Sequence, residues 1–215
     1  MITLDGPRLA PRTAPADALV VLIHGYGADG RDLIDIGEIW AERLPGAAFV
    51  APHAPHPCGQ APVGREWFPL TQFDLHTLRR GVESAAPDLA RFIGAELARL
   101  GLGPDRLVLM GFSQGAMMAL HLALALPAAP AAVVAYSGLW AGGEPPRHAP
   151  PPLLLIHGGA DEVVPAAALQ ASVSALAQAG VPAQWHLSPD LGHGIDGDGL
   201  RLGADFIADA LSRPR

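Results

Sequence analysis

Short apolar runs recur along this chain and restrict its fold more than any other feature of the sequence. A strand that is covered on both faces consists almost wholly of apolar residues, as strands of parallel sheets do. Five such buried strands are predicted, at residues 18–23, 48–51, 106–110, 131–136 and 153–156. Residues 184–187 are predicted as a further strand, and residues 2–9 as a weaker strand at an edge of the sheet.

Segments with helical periodicity separate these runs. Helices are predicted at residues 32–44, 86–100, 114–126, 166–178 and 200–211, and Gly101 and Gly180 stand where glycines commonly end helices. Strands that alternate with helices predict an α/β fold, in which a mostly parallel sheet has helices on both faces. We expect a single domain over residues 1–215. Ligands of such sheets bind at the carboxyl ends of the strands, so the loops there are the candidates for chemistry.

Charge and composition exclude several classes of function. The 215 residues carry a net charge of −7, which argues against a surface for nucleic acid or anionic membranes. The sequence contains no lysine, so it has neither a Schiff-base lysine nor the lysine of a phosphate-binding P-loop. Cys58 is the only cysteine, which excludes an internal disulfide, an iron–sulfur cluster and a zinc site built from cysteines.

The expected location is the cytoplasm. The first fifteen residues lack a basic region followed by an apolar core, so no signal peptide is predicted. The apolar runs are too short to cross a bilayer, and we expect no stable membrane insertion. The histidines show no spacing typical of a metal site, and the sequence leaves open whether the chain forms a homodimer.

Two glycine-rich motifs follow predicted strands, and the first of them is ambiguous. Gly25, Gly27 and Gly30 lie in HGYGADG, between a strand and a helix, with the spacing of a dinucleotide-binding turn. That site also needs an acidic residue at the end of the next strand, where residues 50–53 of this chain are VAPH. A dinucleotide-dependent oxidoreductase is therefore the weaker alternative.

The second motif, GFSQG at residues 111–115, has the pattern of a nucleophile elbow. It directly follows one predicted strand and directly precedes an apolar helix. Such a turn lifts the hydroxyl of Ser113 above the sheet edge, and the glycines on either side avoid collisions with neighbouring backbone. The sequence therefore predicts that Ser113 is a nucleophile, with a turn serine of no function as the alternative.

A nucleophilic serine needs a general base, and a carboxylate must hold that base in one tautomer. The loop after the strand at 153–156 carries two adjacent acids, and we choose Asp161 over Glu162 because its shorter side chain sits deeper. His193 follows the strand at 184–187 and has a glycine on either side, which lets its imidazole reach the serine. His24 and His157 also end strands, and we expect structural hydrogen bonds from them.

The tetrahedral intermediate of acyl transfer needs two N–H donors for its oxyanion. The backbone N–H of Gln114, the residue after the nucleophile, is one predicted donor. The backbone N–H of Tyr26, in the first glycine motif, is the other. A glycine-rich turn presents its N–H groups to an oxyanion as readily as to a pyrophosphate.

Four motifs, taken in order along the chain, resemble those of the phospholipase/carboxylesterase family of α/β-hydrolases, which includes bacterial carboxylesterases and acyl-protein thioesterases. The motifs are HGYGAD, GFSQGA, HGGADEVVP and GHGI. The similarity extends from about residue 18 to the last predicted helix. It implies hydrolysis of carboxylic esters and thioesters without a metal or cofactor. By position, Ser113, Asp161 and His193 match the family's triad. Tyr26, where leucine is common, and Gln114 match its oxyanion donors.

The substrate is the least defined expectation. A chain of 215 residues has no room for a large lid domain, so an open site is expected, for short to medium acyl chains in esters, thioesters or lysophospholipids. The candidate substrate contacts, for which ordinary packing is the alternative, are Trp67, Phe68, Leu70, Phe73, Leu139 and Trp140. Pro69 replaces the acid of the family's Trp-Phe-Asp segment, so that carboxylate has no counterpart here. A hydrolase fold that binds its ligand without catalysis remains a further alternative.

Overall fold

The computed structural model describes residues 2–59, 61 and 63–213, and a seven-stranded sheet forms the centre of this part of the chain. Its strands are β1 Arg8–Leu9, β2 Ala18–Ile23, β3 Ala47–Val50, β6 Leu107–Phe112, β7 Ala132–Tyr136, β8 Leu153–Gly158 and β9 Gln184–Ser188. Two more strands, β4 His56–Pro57 and β5 Arg65–Glu66, form an antiparallel hairpin. The helices are α1 Arg31–Trp40, α2 Leu75–Leu100, α3 Gln114–Ala125, α4 Ala167–Gln178 and α5 Gly197–Ser212.

The strand order of the main sheet is β1-β3-β2-β6-β7-β8-β9. The edge strand β1 pairs antiparallel with β3, and the other neighbours pair parallel, which confirms the predicted mostly parallel sheet. The register places Ile23 opposite Gly111, and Phe112 opposite Tyr136. The loops after β2, β6 and β7 therefore leave the sheet at the same edge.

Both faces of the sheet are covered. In β2, Leu19, Val21 and Ile23 belong to the apolar cluster that contains side chains of α2, α3 and α4. The alternate side chains of β2 belong to a second cluster, together with side chains of α1 and α5. All six residues of β2 are fully buried, which explains why this strand is apolar throughout.

The predicted elements are present, with shifted ends. The edge strand predicted at residues 2–9 is reduced to the two residues of β1, and the hairpin β4–β5 is too short to produce a sequence period. The helix predicted from residue 86 begins at Leu75, and Pro87 lies inside it. Proline is common in the first turn of a helix, so Pro87 resembles a helix start. The actual cap is Asp74, whose side chain accepts a hydrogen bond from the Thr77 N–H at 2.9 Å.

The helix ends agree with the glycine signals. Gly101 and Gly180 have φ angles of +68° and +77°, the left-handed conformation that glycine adopts readily. Within the described residues, no helix combines the length and the apolar character needed to span a membrane.

Candidate active site

The turn after β6 places Ser113 at the carboxyl edge of the sheet, directly before α3. Ser113 has φ 55° and ψ −118°, a conformation that is rare and strained for a residue other than glycine. A Cβ atom on Gly111 would lie 2.2 Å from the carbonyl oxygen of Gly115, and one on Gly115 would lie 1.9 Å from that of Ile23. Both flanking glycines are therefore required by the close approach of backbone, as the elbow pattern predicts.

Asp161 and His193 are joined by a hydrogen bond of 2.8 Å between Oδ2 and Nδ1. The other oxygen of Asp161, Oδ1, accepts the N–H groups of Val163 and Val164, each at 2.9 Å. Burial raises the pKa of Asp161, but the hydrogen bonds from His193, Val164 and Val163 outweigh it, so the pKa lies below its usual value. The charged carboxylate holds the proton of His193 on Nδ1, which leaves Nε2 free to accept one.

Backbone contacts between two loops bring this pair together. The N–H of Gly159 donates to the carbonyl oxygen of Ser188 at 2.8 Å, and the N–H of Ala160 donates to that of Leu191 at 2.9 Å. The loop after β8, which carries the aspartate, thus rests on the loop after β9, which carries the histidine.

His193 lies beside the nucleophile turn. Its ring centroid is 4.9 Å from that of Phe112, the residue before Ser113. The hydroxyl of Ser137 donates to the carbonyl oxygen of Gly194 at 3.1 Å and ties the histidine loop to the end of β7. Among the described residues, no hydrogen bond joins the Ser113 hydroxyl to His193; contacts of this kind commonly tighten only when substrate is bound.

The loop after β2 lies against the nucleophile. A Cβ atom on Gly25 would lie 3.2 Å from the Cβ atom of Ser113. Two backbone hydrogen bonds of 2.9 Å with Arg65 of β5 hold the far side of this loop. In the part of the chain that the structure describes, the backbone N–H groups of Tyr26 and Gln114 have no acceptor. Neither N–H group is therefore used by the backbone contacts that hold these two turns.

The other two histidines at strand ends have structural contacts, as predicted. Nε2 of the buried His24 accepts the N–H of Ala54 at 2.9 Å, so its Nδ1 carries the proton and donates to the carbonyl oxygen of Gly25 at 2.8 Å. Burial lowers the pKa of His24, which keeps this ring neutral. Nε2 of His157 lies 2.8 Å from the carbonyl oxygen of Val164. No group of three or more side chains suited to a metal ion occurs among the residues described.

The six predicted substrate contacts fall into two groups. The first group packs in the apolar core, where the alternative of ordinary packing applies, and consists of Trp67, Phe68, Leu139 and Trp140. In the second group, Leu70 is half-buried and Phe73 is 50% exposed. The cavity of about 500 Å³ that Trp140 lines lies beside the carboxyl end of α3, at the opposite end of that helix from Ser113. We therefore retain only Leu70 and Phe73 as candidates for contact with the acyl chain.

Two residues that the sequence patterns did not single out also support the site. Phe112 contacts His193, and Ser137, with φ 48°, holds the histidine loop. Phe112 is the last residue of β6, and Ser137 directly follows β7. Their place at the carboxyl ends of adjacent parallel strands is the signal that points to them.

Comparison with known proteins identifies the family of the chain. A model of the phospholipase/carboxylesterase family matches residues 4–211. Esterase YpfH of Escherichia coli is 31% identical over 90% of this chain and 83% of its own length. Acyl-protein thioesterase 1 of Gibberella zeae is 28% identical over 88% of this chain and 91% of its own. The crystal structure of esterase PE8 superposes with a TM-score of 0.91 at 42% identity, covering 97% of this chain and 100% of that chain. The chain therefore belongs to the phospholipase/carboxylesterase family of hydrolytic enzymes and has the α/β-hydrolase fold.

Proposed function

We propose that the chain hydrolyses carboxylic esters, and thioesters, of short to medium acyl chains through a covalent acyl-enzyme. Ser113 is the nucleophile, His193 the general base, and Asp161 the carboxylate that orients the base. The observation that carries this proposal is the 2.8 Å hydrogen bond between Asp161 and His193, at the sheet edge where a strained elbow presents Ser113.

In the first step, Oγ of Ser113 attacks the carbonyl carbon of the substrate while Nε2 of His193 takes the hydroxyl proton. The carbonyl oxygen becomes negative and accepts the backbone N–H groups of Tyr26 and Gln114. Since Gln114 is the first residue of α3, the positive end of the helix dipole also favours this charge. His193 then gives the proton to the leaving alcohol or thiol, and the acyl group remains on Ser113.

In the second step, His193 removes a proton from water, whose oxygen attacks the acyl carbon of the acyl-enzyme. The same two N–H groups stabilise the second oxyanion. When this intermediate collapses, the proton on His193 returns to Oγ of Ser113. A carboxylic acid is released, and the enzyme regains its starting state.

The rim of the site supports an uncharged, apolar substrate. Leu70 and Phe73 expose apolar surface in the segment between β5 and α2. The net charge of −7 disfavours an anionic leaving group. A lysophospholipid meets this requirement when its head group has no net charge.

The test combines covalent labelling with a substrate series. A fluorophosphonate probe should label Ser113, as located by peptide mass mapping, and the Ser113→Ala variant should fold normally but remain unlabelled. p-Nitrophenyl esters from acetate to palmitate, beside acyl thioesters, should show rates that decline toward palmitate and vanish in the variant. A folded wild-type protein that is neither labelled nor active would show a fold used for binding alone. Rates that rise toward palmitate would overturn the proposed chain length.

A further inference from the structure

Two buried side chains link the proposed oxyanion donors. Gln114, whose backbone N–H is one donor, is fully buried, and its Oε1 accepts the backbone N–H of Trp67 at 2.9 Å. Its Nε2 donates to the carbonyl oxygen of Phe68 at 2.7 Å. The indole Nε1–H of Trp67 donates to the carbonyl oxygen of His24 at 2.9 Å. His24 lies two residues before Tyr26, whose N–H is the other donor, so Trp67 connects both.

We propose that Trp67 is a positioning residue that sets the separation and direction of the two oxyanion donors. This inference rests on the proposed function. Trp67 is 1% exposed and packs in the core, so it acts through the backbone of the loop after β2 and does not touch the substrate.

The backbone around Tyr26 explains why an outside support is needed. Tyr26 stands between Gly25 and Gly27, and glycine allows a wider range of backbone angles than any other residue. Gly27 is held on its far side by a hydrogen bond of 2.9 Å from its N–H to the carbonyl oxygen of Arg65. On the near side, Trp67 holds the His24 carbonyl. The peptide that carries the Tyr26 N–H also carries the Gly25 carbonyl oxygen, which accepts from Nδ1 of His24 at 2.8 Å. Trp67 therefore acts on this donor through His24, whose carbonyl it holds and whose ring orients that peptide.

The expected decrease in kcat follows from the contribution that a single oxyanion N–H donor makes to the rate. Loss of one oxyanion donor lowers kcat by about 10²–10³. Trp67→Phe keeps the aromatic packing and both donors but removes the support of one of them, so a smaller loss of about tenfold is expected in kcat. KM should change little, because the support acts on the charged intermediate and not on the bound ester.

The chain offers a matched control. Trp40 is also 1% exposed, and its Nε1–H also donates to a backbone carbonyl, that of Leu200, at 3.0 Å. It lies in the apolar cluster on the other face of the sheet, away from the elbow. Trp40→Phe therefore loses the same kind of indole–carbonyl hydrogen bond, here part-buried, without affecting either donor.

The experiment compares the two variants in the full chain. The measurements are kcat and KM with p-nitrophenyl acetate, the inhibition constant of a trifluoromethyl ketone that mimics the oxyanion, and Tm. The Tm should decrease by a similar amount in both variants. Trp67→Phe alone should lose about tenfold in kcat and in ketone affinity, with KM nearly unchanged.

Equal kcat values in the two variants, or a change confined to KM, would overturn the inference and leave Trp67 a packing residue. If Trp67→Phe does not fold, Gln114→Met supplies the second measurement. That variant keeps the backbone N–H but loses both side-chain hydrogen bonds. A lower kcat with KM nearly unchanged is expected for it as well. Failure of the proposed function would appear separately, as a wild-type protein without hydrolysis or labelling.

Discussion

Two glycine-rich turns follow the neighbouring strands β2 and β6, yet they contribute to the sheet edge in different ways. In the turn after β6, glycines clear space for a strained serine that presents its side chain. In the turn after β2, Gly27 has φ +79°, and the N–H of the preceding residue, Tyr26, has no acceptor among the described residues. A glycine motif therefore does not identify the chemistry of a turn; the groups packed against the turn do.

The two turns also differ in how they are held. The N–H of Ser113 donates to the carbonyl oxygen of Tyr136 at 2.9 Å, so adjacent sheet strands hold the elbow directly. The turn after β2 is held by Arg65 of β5 and by Trp67, which directly follows β5. We expect the elbow to tolerate little change of any kind, and the other turn to respond mainly to changes in its supports.

The largest expected effect tests the chemical partners of the elbow. Asp161→Asn should lower kcat by about 10⁴, because the amide no longer holds the correct tautomer of His193. Glu162→Gln is the control, since Glu162 is exposed and adjacent, and its kcat should stay near that of the wild type. Steady-state kinetics with one p-nitrophenyl ester measures both. If Glu162→Gln caused the loss instead, the assignment of the carboxylate would be wrong.

A second, smaller effect tests the crowding of the elbow. Gly115→Ala should lower the free energy of unfolding by about 1–3 kcal/mol, because its Cβ would meet the backbone oxygen of Ile23 at 1.9 Å. Gly94→Ala in α2 is the control: a Cβ there meets nothing within 4 Å, and the change should stabilise the protein by about 0.5–1 kcal/mol. Denaturant unfolding gives both values. Equal stability of the two variants would contradict the steric account.

The smallest expected effect tests the backbone role of the turn after β2. Tyr26→Phe keeps the N–H donor, so kcat should change by less than about threefold. A hydrogen bond with Cys58, burial and a hydrogen bond with Glu66 raise the pKa of the phenol. Phe loses both hydrogen bonds, so a small decrease in Tm is expected. Kinetics and thermal unfolding measure the two outcomes. A hundredfold loss of kcat would show that the phenol itself takes part in catalysis.

The sequence predicted best those features that depend on a few adjacent residues. The bounds of β2 agree with the prediction because a strand buried on both faces is apolar throughout. The elbow was recognised because backbone crowding demands glycine on both sides of Ser113. The prediction for Trp67 placed it among the substrate contacts, whereas the structure buries it in the core. An aromatic residue in a loop without a sequence period carries no local sign of the side to which it points.

Local patterns were thus sufficient for the order of the helices and of the main-sheet strands and for the elbow, and they point to Asp161 and His193 as the candidate carboxylate and base. Burial periodicity and turn sterics are properties of short segments, so they can be recognised in the chain itself. The hydrogen bonds that organise the edge are of another kind. Asp161 meets His193 across 32 positions of the chain, and Trp67 meets Gln114 across 47. Only the packing of whole loops against one another sets such contacts, and therefore only the folded structure revealed them.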